Sequence, residues 1–401
     1  MGLADVVRPE TARRTNRAIV LEHIHQHGEL ARADLTQLLG LNRSTIASVI
    51  ADLVGLGLVS ERVPARSDGV GRPSHLVGPR SDGPYVIAVE IDADHVTTSA
   101  VGLGGEVLSR DDHDLRPHDT GSIAVADRIL ADAATIEREV PPGAFLVGVG
   151  VSLPGTVRIG DEVVVQAPNL GWRDEPFHEL LATRFPPWIP IRLANDADVG
   201  AMAEHLRGAA RGASDAIYLI GKIGVGAGMI VSGQALTGAG GLAGEVGHMV
   251  LDPAGPVCRC GSNGCMEALV GEAALLRASG WLRPPTRHAV AQVVEAARLG
   301  EPAARAGIAQ VGSALGLAIA NLVNLLNPEV VILGGSLAPI LELGATSIEA
   351  QLDRHAMAGP RGMVSLRTPG LGEDSSLIGA AELAFQPLLA DPYGTVQLRL
   401  A

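Results

Sequence analysis

All three cysteines of this 401-residue chain lie in one ten-residue stretch, Cys258-Arg-Cys260-Gly-Ser-Asn-Gly-Cys265-Met-Glu267. Upstream stands Gly244-Glu-Val-Gly-His248, with nine residues between His248 and Cys258. One residue separates Cys258 from Cys260, and four separate Cys260 from Cys265. Three thiolates and one imidazole on a glycine-rich turn are the ligand set of a closed tetrahedral zinc site. If His248 were only a satisfied loop histidine, three thiolates would remain, an incomplete structural shell. The expected cofactor is therefore a structural Zn2+ held by His248, Cys258, Cys260 and Cys265. Cysteines that are bunched and odd in number argue against a disulfide framework. Glu245 and Glu267 flank the ligand set, and zinc binding does not require them.

The N-terminal eighty residues form a separate pattern. They hold ten Arg and eight Asp or Glu, a balance of +2, whereas the rest of the chain carries 21 basic and 36 acidic residues, a balance of −15. An acidic body repels nucleic acid, so any DNA contact belongs to the N-terminal segment. Residues 15–27 read as an amphipathic helix and residues 31–39 as a second, stopped by Gly40. Asn42 is placed to cap a third, whose apolar stripe is Ile46, Val49, Ile50 and Leu53. Its first turn offers Arg43, Ser44 and Thr45, with Ser48 on the face away from the stripe. This is the layout of a helix-turn-helix recognition helix. Residues 58–63 and 75–77 read as the strands of a wing, tipped by Gly69-Val70-Gly71-Arg72-Pro73. Arg72, between Gly and Pro, suits the minor groove of A·T-rich DNA. Arg43, Ser44, Thr45, Ser48 and Arg72 are the expected DNA contacts. The plainer alternative is a small helical module that docks protein.

A turn-rich linker, Gly78-Pro79-Arg80-Ser81-Asp82-Gly83-Pro84, separates this head from an α/β body. Strands are expected at 85–90, 95–101, 106–109, 145–151, 189–193, 216–220, 228–231 and 330–333. Helices are expected at 122–138, 197–206 and 311–326. Asn195-Asp196 opens a helix after a strand, where Asp196 could act as a general base, although a helix N-cap explains either residue. Gly221-Lys222-Ile223-Gly224-Val225-Gly226-Ala227-Gly228 could cradle phosphate or mark a tight hairpin. Leu333-Gly334-Gly335-Ser336 could admit a nucleotide or serve packing. No signal-peptide pattern and no uninterrupted apolar run of membrane-spanning length is evident, so a cytoplasmic protein with no membrane partner is expected.

Pro154-Gly155, Asn169-Leu170-Gly171-Trp172, Asn195-Asp196, Glu245-Val246-Gly247-His248 and the cysteine stretch through Glu267 together resemble the ROK family of repressors, open reading frames and kinases. The resemblance covers nearly the whole chain, and the head with its Gly-Arg-Pro wing resembles the regulator branch. It implies a winged helix-turn-helix at 1–80, followed by a two-lobed actin/hexokinase-like (ribonuclease H-like) ATPase fold. The first lobe would span 84–194 plus a C-terminal helical segment at about 373–401, and the second lobe, with the zinc site, 195–372. It further implies a sugar cleft between the lobes, with Asn195, Asp196, Glu245, His248 and Glu267 holding the sugar. His248 would ligate zinc through one ring nitrogen and meet the sugar through the other. Asp196 occupies the catalytic-base position of the kinases.

One departure bears on activity. Kinases of the family open the first lobe with Asp-x-Gly-Gly-Thr, whose loop embraces ATP phosphates. The matching stretch here is Glu90-Ile91-Asp92-Ala93-Asp94, without glycine and with three carboxylates. Phosphoryl transfer needs neutralisation around the γ-phosphate, which these groups oppose. The second loop carries Lys222 and Ile223 in place of the usual Thr. The expectation is a sugar-responsive repressor that binds operator DNA as a homodimer or homotetramer. Asp196 would be vestigial, and ATP and Mg2+ are not expected as cofactors. A sugar kinase with an attached DNA-binding head is the alternative.

Overall fold

The computed structural model of the protein describes residues 9–63, 74–115, 120–281 and 287–400. The head holds three helices, Pro9–His27, Arg32–Leu39 and Arg43–Gly55. The second and third meet at 117°, within the range of helix-turn-helix pairs. Asn42 caps the third helix, its side chain accepting from the Thr45 amide at 2.8 Å. Ile46, Val49, Ile50 and Leu53 are all buried, as their spacing requires. Strands Val59–Arg62 and Leu76–Pro79 pair antiparallel to make the wing's base. A two-residue strand not anticipated from sequence, Leu30–Ala31, adds to its other edge. The wing tip that carries Arg72 lies outside the described residues.

The chain forms two compact units. The first comprises Met1–Leu153, Asp174–Leu193 and Ala380–Ala401, so the head packs within it. Its five-stranded sheet runs in the order Ile191–Asn195, Phe145–Leu153, Pro84–Ile91, His95–Gly102, Val107–Asp114. The last three form an antiparallel meander, and Phe145–Leu153 lies parallel to Pro84–Ile91. Pro84–Ile91 is buried at every position, the mark of a strand covered on both faces. The edge strand runs to Asp114, five residues beyond the expected end at 109. Its polar tail, Arg-Asp-Asp-His-Asp, hid a strand that only pairing with His95–Gly102 reveals.

The second unit comprises Pro154–Arg173 and Ala194–Gly379. Residues 154–173 therefore pack with it, although they fall inside the span 84–194 expected for the first lobe. Its sheet order is Gln234–Ala235, Val225–Val231, Ala216–Gly221, Val330–Gly335, Ser365–Arg367. Helix Pro302–Leu326, begun by a proline at its first turn, runs 25 residues and starts nine residues earlier than expected. It is long and apolar enough to cross a membrane by length and composition. Here it is a core helix, with Ile308, Val311, Leu315, Ile319 and Val323 buried in the unit's main apolar cluster. Helix Leu337–His355 packs along it.

Candidate ligand and metal site

Two short antiparallel bridges, Val250 to Cys265 and Val257 to Asn263, fold the cysteine stretch back on itself. Gly264 makes the return possible: its φ is +64°, and a Cβ there would lie 1.5 Å from the Asp252 carbonyl oxygen. The fold brings His248, Cys258, Cys260 and Cys265 together, their ligand atoms all within 4.8 Å of one another. Cys258 Sγ stands 3.7 Å from His248 Nδ1, and Cys260 Sγ 3.6 Å from Cys265 Sγ. A tetrahedral zinc with Zn–S bonds of about 2.3 Å has ligand–ligand edges of about 3.8 Å. The donor set therefore fits that ion in type and spacing. Burial pushes the Cys258 thiol up to about 12, so a thiolate there calls for a neighbouring cation.

The two nitrogens of His248 face different ways. Nδ1 turns to the cysteines, and Nε2 lies 3.9 Å from Glu245 Oε2. Glu267, in the first turn of helix Met266–Val270, bridges two elements. Its Oε1 lies 3.7 Å from Cys258 Sγ, and its Oε2 accepts from the Val225 amide at 3.3 Å. The glycine-rich segment is a hairpin between Ala216–Gly221 and Val225–Val231. Its glycines serve close approach: a Cβ on Gly224 would lie 2.4 Å from Glu267 Oε2, and one on Gly228 2.2 Å from the Ala197 carbonyl. Gly335 likewise faces the Gly221 carbonyl, where a Cβ would lie at 2.0 Å, so the Gly334-Gly335 pair serves packing.

Asn195 caps helix Asp196–Leu206, accepting from the amides of Ala197 and Asp198, and its Nδ2 donates to the Gly155 carbonyl at 2.9 Å. Only its second amide hydrogen is left for a ligand. The side chain of Asp196 is buried, with Oδ2 3.2 Å from Lys222 Nζ. Sequence reasoning noted Lys222 as a departure but could not see this pairing. It also missed Asp198. Desolvation, then the charges of Asp196 and Glu245, raise the Asp198 carboxyl to about 7. Two acids in one helical turn, Asp196 and Asp198, were the available signal. Arg259, inside the cysteine stretch, donates to Asn169 Oδ1 at 2.9 Å, which ties the Asn-Leu-Gly-Trp motif to the metal loop.

In the first unit, the stretch at 90–94 is a strand end and a tight turn. The Asp92 amide donates to the His95 carbonyl, and Asp92 Oδ1 accepts from the Ala93 amide at 2.7 Å. On the head, Arg43, Ser44 and Ser48 are exposed and Thr45 is half-buried. Arg13 and Arg17 pair with Asp52, Arg14 with Asp391, Arg32 with Glu61, Arg62 with Glu29 and Arg80 with Asp82. Arg43 has no acidic partner among the described residues.

Comparison with known proteins extends these observations. A sequence profile of the ROK family matches residues 86–386. A xylose repressor of Bacillus spizizenii is 27% identical over 388 residues, which cover 96% of this chain and 98% of that protein. A crystal structure of a ROK family transcriptional regulator, a homolog of the E. coli MLC protein, superposes with a TM-score of 0.78 at 24% identity, covering 97% of this chain and 98% of that one. A ROK family glucokinase from Streptomyces griseus, solved with glucose and AMPPNP, gives a TM-score of 0.64 at 27% identity. It covers 75% of this chain and 99% of its own.

Proposed function

The chain belongs to the ROK family, and from that premise we propose that it is a transcriptional regulator, a repressor that binds operator DNA through its head and responds to a sugar. The observation that carries this reading is Arg43. It sits exposed in the first turn of the Asn42-capped helix, and no acid neutralises it among the described residues. Every other head arginine among them is paired. A cation left available there suits phosphate or a guanine edge. The similarity to the xylose repressor supports the reading, because it spans the head as well as the body.

The sugar is held by residues of the second unit. Glu245, Glu267 and Asp196 accept hydroxyl protons, His248 Nε2 donates, and Asn195 supplies its remaining amide hydrogen. Zinc, held by His248 Nδ1 and the three cysteines, plays a structural part: it ties the loop of Glu245 to the helix of Glu267. An electrophoretic shift with DNA from upstream of the protein's own gene tests the head. A sequence-specific shift that a sugar weakens is the expected result; no shift under any condition overturns it. A thermal-shift screen of sugars identifies the effector. A ligand at about 100 times its Kd adds about 2.7 kcal/mol.

A second reading, a sugar kinase with an attached head, is favoured by Asp196 at the base position and by the likeness to the glucokinase. Against it stand two features. The turn at 90–94 has no glycine, and the Lys222 ammonium already occupies one oxygen of Asp196. Phosphorylation of a hexose at an ordinary enzymatic rate, on the order of 1 to 1,000 per second, decides for the kinase.

A further inference from the structure

We propose that Asp111, His113 and Asp132 form a second metal site, in the first unit, for a divalent first-row cation bound through one imidazole nitrogen and two carboxylate oxygens. Asp111 and His113 alternate along the edge strand Val107–Asp114 and so project from one face. Thr98, directly opposite Asp111 in the register, shares that face. Helix Ser122–Ile136 supplies Asp132 on its buried side, among Val125, Ile129 and Ile136. One ligand atom from each of the three residues lies within 4.8 Å of the others.

Asp132 is a buried carboxylate. Its side chain is 3% exposed, on an otherwise apolar helix face. Arg128 stands 3.6 Å from Asp132 Oδ1, and Thr98 donates to Oδ2 at 3.3 Å.

The orientation of His113 suits a shared ion. Its Nε2 is 3.0 Å from Asp132 Oδ1 and 3.7 Å from Asp111 Oδ1. That nitrogen is nevertheless fully shielded and makes no hydrogen bond. An Nε2–H would therefore point at neither carboxylate in hydrogen-bonding geometry. Co-ligands of one ion behave in this way: their lone pairs converge on a shared point rather than on each other. Ligand–ligand distances of about 3.0 to 3.4 Å follow from metal–ligand bonds of about 2.1 Å in octahedral or tetrahedral arrangement. Side-chain exposures of 35% for Asp111 and 32% for His113 leave an entry path and room for water ligands. Nitrogen with carboxylate oxygen suits Mn2+ or Zn2+, whereas the cysteine site selects zinc.

The test uses the full chain with its cysteine site filled by zinc, titrated with Mn2+ and followed by the electron paramagnetic resonance of the free ion. Mn2+ does not displace zinc from thiolates, so binding reports the second site. The expected result is one Mn2+ per chain, weakened at least about tenfold by His113→Gln and by Asp111→Asn. Both substituted positions are part-exposed, and unchanged circular dichroism of each variant shows that it has folded. Absence of Mn2+ binding, or binding that neither substitution weakens, overturns the proposal and leaves an ion-pair network.

Discussion

Asp198 sits in an environment that its neighbours in sequence do not imply. Its carboxyl, raised from 3.8 to about 7 by desolvation, Asp196 and Glu245, keeps a proton that the unfolded chain has already released. Between about pH 4 and about pH 7 the native state therefore binds more protons than the unfolded one, and this group's contribution to stability falls as pH rises through that window. Asp198→Asn removes the dependence. Relative to the native chain, the variant should gain on the order of 2 kcal/mol between about pH 5 and about pH 8, read from urea midpoints. A stability difference that is constant with pH would show that Asp198 is ionised in the fold. Glu245 is the other residue with a separable role. Its side chain is exposed and lies 3.9 Å from the outward nitrogen of His248. Glu245→Ala should abolish the sugar-induced melting shift and leave zinc content at one per chain.

At the scale of elements, the cysteine cluster runs directly into helix Met266–Val270, with Cys265 at its N-cap. Cys260→Ser opens the shell and frees the segment that carries Glu267. Zinc should be lost in elemental analysis, with a stability cost of about 4 kcal/mol or more. Zinc retained in Cys260→Ser would mean that the four ligands are wrongly assigned. The helix Ser375–Ala390 is the other element with a double role. Ser376 Oγ near its start donates to the Asp196 carbonyl at 3.1 Å, and Glu382 accepts from His25 Nε2 at 2.9 Å. His25 Nδ1 accepts from the Gly104 amide at 3.0 Å, so the ring carries its proton on Nε2. Both side chains are buried. Glu382→Ala leaves the imidazole N–H without this acceptor and should cost about 1 to 3 kcal/mol. It should also speed proteolysis within helix Pro9–His27. Unchanged proteolysis would mean that apolar packing alone holds the head helix.

For the whole molecule, charge is distributed by function. The chain carries −13 overall, and its head is the positive part. Among the described residues, every head arginine but Arg43 spends its charge on a neighbouring acid, so net charge overstates what DNA can meet. Arg43→Ala should weaken operator binding by about 1 to 3 kcal/mol if it reads a base, and relax preference at that base pair. If it meets phosphate only, affinity falls evenly across sequences and the salt slope drops by about one. No change in either quantity would remove Arg43 from the interface. Half-sites should lie about one helical turn, or a multiple of it, apart for a symmetric dimer.

The sequence by itself determined what depends on near neighbours. The stripe Ile46, Val49, Ile50, Leu53 and the cap Asn42 specify the third head helix, because helical period and capping act within a few residues. The cysteine spacing specifies a turn that gathers three thiols for the same reason. Tertiary structure alone decided which distant groups meet. Lys222 reaches Asp196 across 26 positions, Glu267 reaches the Val225 amide across 42, and His25 reaches Glu382 across 357. The tail of the edge strand and the allegiance of residues 154–173 were hidden likewise, since a polar segment becomes a strand only through its pairing partner. Ionisation follows the same division. A carboxyl's intrinsic acidity belongs to the residue, but its desolvation and its charged neighbours belong to the packed chain.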